Sequence, residues 1–81
     1  MLSAKDVQEI TSTRSLSAAI LQLRASFLGQ EEGWQNRTVD DYLEAMSAWL
    51  DDAEQSGMLD DCSPEACRVV ARVLAAGSVY E

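Results

Sequence analysis

Carboxylates supply most of the side-chain chemistry in this sequence: fourteen Asp and Glu residues stand against six Lys and Arg, and there is no histidine. Acid–base catalysis would therefore fall to paired carboxylates, nucleophilic attack to Cys62 or Cys67, and cation binding to acidic clusters. The spacing supports none of these. Asp40 with Asp41, Asp51 with Asp52 and Asp60 with Asp61 are adjacent pairs, and adjacent positions on a helix point in different directions, so no pair converges on one proton. Asp60, Asp61 and Glu65 make at best a weak cation site, because the D-x-[DN]-x-[DN]-G pattern of a calcium loop is absent. A di-iron bundle needs Glu-x-x-His pairs, which this chain lacks. No glycine-rich phosphate loop occurs, and the serines have no base partner. Two cysteines are too few for a disulfide framework and lack the four-ligand spacing of a zinc site, so they read as reduced thiols. The sequence predicts no catalytic residue, no metal site and no cofactor.

With catalysis unsupported, the distribution of charge becomes the main functional signal. The formal net charge is -8, which repels phosphate backbones and anionic lipid headgroups and favours basic partners. Neither nucleic acid nor a membrane surface is expected as a ligand. Between Glu31 and Glu65 there are eleven acidic residues and one basic residue, Arg37, whereas the rest of the chain is weakly positive.

The elements that hold these charges read as helices throughout. Ser3 and Asp6 form a capping-box pair with Leu2 and Val7 at the staple positions, which predicts a short helix from Ala4 to Ile10. Thr11, Ser12 and Thr13 interrupt it. A second helix is expected from Arg14 or Ser15 to Leu28, with Leu16, Ile20, Leu23 and Phe27 as its buried stripe and Gly29 as its stop. Gln30 to Arg37 form a polar connection. Within it, Trp34 is placed to fold back on the following helix, and Asn36 to close a turn on backbone groups.

Thr38 and Asp41 predict the N-terminus of the third helix, and Gly57 its end. Val39, Leu43, Met46, Leu50 and Ala53 make its expected buried stripe, widened by Tyr42 and Trp49. On the other side, Asp40, Glu44 and Asp51 share one solvent-facing row, with Glu54 adjoining and Asp41 and Asp52 flanking. Ser63 as N-cap and Pro64 at the first helical position start a fourth helix, expected to run to Ala76 and stop at Gly77. Cys62 and Cys67 then fall at the two staple positions and should lie close together. Apolar residues of this helix (Cys67, Val69, Val70, Ala71, Val73, Leu74 and Ala75) cover more than one face, so it is either the centre of the bundle or has an outer face that touches another chain.

The fold expected is all-α, a compact bundle of three to four short helices forming a single domain over residues 1–81. A chain of this length buries only about 60% of the surface its unfolded form exposes, leaving no room for a second core. Met1 to Ile10 carries Lys5, Asp6 and Glu9 and so lacks the apolar core of a signal peptide. Apolar runs such as Ala18 to Leu21 fall far short of the roughly 20 residues that span a bilayer. These features point to a mature cytoplasmic protein.

Two segments resemble a known family. WQNRTVDDYLEAMSAWLDD, Trp34 to Asp52, is similar to a motif of small, acidic, uncharacterised bacterial proteins in which a W-[EQ]-N-x-T loop leads into a helix beginning [LV]-x-[DE]-[FY]-L-E-A. RVVARVLAAGSVYE, Arg68 to Glu81, is similar to that family's closing alanine-rich helix ending in V-Y-E. Together they cover about 33 of the 81 residues. Family members commonly carry tryptophan where this chain has Cys67, and bulkier residues on the last helix. The resemblance places Trp34, Tyr42, Leu43 and Met46 in the core and lets Tyr80 pack while Glu81 meets an arginine. It implies no assigned activity; in size and charge its members look like immunity proteins that neutralise toxin domains.

Two functional expectations follow. One is a noncatalytic immunity- or antitoxin-type inhibitor that blocks a basic toxin effector, such as a nuclease, through Asp40, Asp41, Glu44, Asp51, Asp52 and Glu54. The other is a self-associating structural or regulatory module, a homodimer through the last helix. The competing reading of the same acidic row is a solvated face that only keeps the chain in solution. An enzyme would need a convergent carboxylate cluster that the spacing does not provide.

Overall fold

The computed structural model describes residues 2–59 and 63–80. The protein is all-α: four helices, α1 (Ala4–Gln8), α2 (Thr13–Leu28), α3 (Val39–Ser56) and α4 (Pro64–Val79), follow one another, with no strand among the described residues. Contacts along the chain group it into two compact units, Met1–Ala45 and Met46–Glu81.

Helix starts obey local hydrogen-bonding chemistry. At α1 the Asp6 amide donates to Ser3 Oγ at 3.1 Å, and the Ser3 amide donates back to Asp6 Oδ2 at 3.0 Å. These bonds from Ser3 favour the ionised carboxylate and hold Asp6 below its usual pKa. α1 ends at Gln8, two residues before the expected Ile10. α2 starts one residue before Arg14, because Ser12 caps it reciprocally with Ser15 rather than interrupting the chain. Ser63 caps α4 by accepting from the Ala66 amide at 3.1 Å, with Pro64 in the first turn.

Helix ends are less regular. α3 stops in a Schellman arrangement at Gly57, which has φ 77°; the Met58 amide donates to the Ala53 carbonyl at 2.9 Å and the Gly57 amide to Glu54 at 3.3 Å. α2 ends at Leu28 with Gly29 as its C-cap, as expected, in the same arrangement, but the left-handed residue is Gln30, at φ 57°, while Gly29 keeps a right-handed φ of -78°. The Glu31 amide reaches the Ser26 carbonyl and the Gln30 amide reaches Phe27. A non-glycine residue there costs on the order of 1 kcal/mol. Gly77 does not stop α4, which continues to Val79 with Tyr80 as its C-cap.

The first unit is organised by Trp34. Its Nε1 donates to Ser26 Oγ at 2.5 Å, and Ser26 is the buried polar residue of α2, only 2% exposed. The indole meets the Phe27 ring edge-on at 5.4 Å and the Tyr42 ring edge-on at 5.9 Å. Arg37 lies over Phe27, with its guanidinium carbon 4.4 Å from the ring centre, and donates from Nη2 to the Phe27 carbonyl at 3.2 Å. One connection is thus tied to the end of α2 and the start of α3, as the folding-back of Trp34 required. On α2 the inward line runs through Leu16, Ala19, Leu23, Ser26 and Phe27, rotated from the expected stripe so that Ile20 is exposed and Ala19 is buried. Asn36 makes no side-chain hydrogen bond among the described residues, so its expected turn is absent.

In the second unit Ala53 is buried at 2% exposure, beneath the turn that Gly57 closes. The stripe expected on α3 begins in the first unit, where Val39 and Leu43 are exposed, as is Tyr42; in the second unit Met46 is half-buried, and Leu50 and Trp49 are exposed. No residue of α4 is buried. Val69, Val70, Val73 and Leu74 are all exposed. Arg68 and Glu65 form an exposed pair one turn apart at 3.7 Å. Tyr80 is 88% exposed and does not pack, in contrast to the expectation. The expected closeness of Cys62 to Cys67 and the expected contact of Glu81 with an arginine involve Cys62 and Glu81, which lie outside the described residues; Cys67 is a free, exposed thiol.

Candidate functional site

α3 divides its two chemistries between opposite sides. At about 100° per residue, Asp40, Glu44, Ser47, Asp51 and Glu54 fall within a band about 80° wide. Asp41 and Asp52 form a second row about 100° further round, so the acidic surface covers roughly 160° of the helix. Its apolar counterpart, with Trp49, Tyr42, Ala53, Met46, Val39, Leu50 and Leu43, occupies most of the remainder. From Asp40 to Glu54 the first row extends about 21 Å along the axis, at ~1.5 Å per residue.

Each of the six carboxylates is exposed, and none forms a salt bridge with a described residue. Asp40 and Asp41 occupy the first turn, where the positive end of the helix dipole favours them. The Asp41 amide also donates to Thr38 Oγ1 at 3.1 Å, the contact expected of Thr38 as a cap. Further along, Asp40 with Glu44 and Asp51 with Glu54 are like charges at neighbouring helix positions, each costing a few tenths of a kcal/mol. The row is thus mildly self-repelling, and a cationic surface would relieve it.

The geometry offers no acid–base site in this band, because the carboxylates stand on a convex helix surface and diverge outward. Among the described residues no group of three or more His, Cys, Asp or Glu stands close enough to hold a metal ion. Asp60 and Asp61, which with Glu65 made the weak cation cluster, lie outside the described residues. A shallow depression in the first unit is lined by Leu2, Asp6, Gln22, Ala25, Ser26 and Glu31. Two of its polar side chains are already engaged: Ser26 accepts from Trp34 and Asp6 from the Ser3 amide. No helix among the described residues is long and apolar enough to cross a membrane.

Sequence reasoning placed the six carboxylates on α3 but missed two residues that set how the chain enters that helix. Ser26 is an ordinary helical serine until Trp34 comes down on it, and Arg37 reads as a lone counter-charge in an acidic stretch. Neither spacing carries a recognisable pattern, because the contacts close across a loop.

A family of unknown function (DUF7660) matches residues 12–81 of the chain. No curated protein and no solved structure matches it.

Proposed function

The chain belongs to this family of unknown function, and from its surface we propose that it is a noncatalytic, cytoplasmic binding protein of the immunity or antitoxin type, which blocks a basic partner. The observation that carries the reading is the two-row acidic band on α3, exposed and without a cationic partner among the described residues. A toxin effector with a cationic substrate cleft, such as a nuclease, fits that band: the carboxylates of α3 occupy the cleft as phosphates would, and charge steering speeds the encounter. Neither nucleic acid nor an anionic membrane is a partner in this reading, since both carry the same sign of charge.

The test is capture of cytosolic proteins by the tagged full chain, run beside a variant with Asp40→Lys and Glu44→Lys. A basic protein retained at low salt by the native chain, released at high salt and lost with the double variant supports the reading. Equal retention by both chains, with the variant still helical by circular dichroism, overturns it. The recovered protein then supplies the activity to be assayed for inhibition.

The exposure of Val69, Val70, Val73 and Leu74 on α4 favours a second reading, self-association through the last helix as a structural or regulatory module. It predicts a dimer by sedimentation equilibrium that Val69→Asp or Val73→Asp dissociates. A monomer at high concentration removes it.

A further inference from the structure

We draw no further inference here: the strongest candidate, the exposed apolar face of α4 formed by Val69, Val70, Val73 and Leu74, already carries the self-association reading, and nothing in the structure shows what else covers it.

Discussion

The stretch from Ser26 to Tyr42 and the stretch from Ser63 to Tyr80 solve the same problem in different ways. In the first, a helix end, a loop and a helix start are joined by one indole that has both a ring contact on each side and a hydrogen bond to a buried hydroxyl. In the second, a helix with as strong an apolar character is held by its own cap, its proline start and its intrahelical bonds, and no residue is buried. The lesson concerns where tertiary stabilisation enters. A short loop closes at little entropic cost, so a single amphipathic aromatic suffices to fix it. A helix of this length on its own is marginal in water, so α4 depends on propensity and capping to a degree that α2 does not.

Removing the organiser breaks the comparison most strongly. Trp34→Ala deletes two ring contacts and leaves the Ser26 hydroxyl without its donor. Because Trp34 is half-buried, the cost should be about 2–3 kcal/mol, below the ~3–5 typical of a fully buried aromatic. Urea unfolding followed by far-ultraviolet circular dichroism measures it. A loss under about 0.5 kcal/mol would mean that the clasp is not what fixes the first unit, and the contrast with α4 would lose its basis.

A smaller change sharpens the same region. Gln30 holds a left-handed conformation that glycine adopts without steric cost, so Gln30→Gly should stabilise the chain by up to about 1 kcal/mol. The same urea titration reads the shift in midpoint. Destabilisation would show that the Gln30 side chain contributes more than its backbone strain costs.

These residues also show what was legible beforehand. Three of the four helix starts were readable, because Ser3 with Asp6, Thr38, and Ser63 with Pro64 act within one turn, where sequence and structure coincide; the Ser12 cap of α2 read instead as an interruption. The acidic band was readable for a related reason: once α3 is a helix, its period alone decides which carboxylates share a side. Stops were harder. Glycine permits a left-handed conformation without requiring one, so Gly57 takes it, Gly29 leaves it to its neighbour and Gly77 continues as helix. Burial was hardest, since the rotation of α2 toward Ala19 and Ser26 depends on what comes down on it, and Ser26 meets Trp34 only after the loop has closed.

Gly77 gives the finest test, because it asks whether α4 is as free as it stands. Glycine inside a helix costs roughly 0.5–1 kcal/mol relative to alanine, and a Cβ built at Gly77 meets nothing within 4 Å. Gly77→Ala should therefore stabilise α4 by that amount, visible as slower amide hydrogen exchange across Val70 to Val79. Gly77 lies on the same side of the helix as Val70 and Val73, seven and four residues before it. If a second copy packs closely on that side, the added methyl group meets a neighbouring backbone, and the gain turns into a loss that grows with protein concentration. A gain independent of concentration fits an uncovered helix and weakens the self-association reading, whereas a concentration-dependent loss would place the contact on α4.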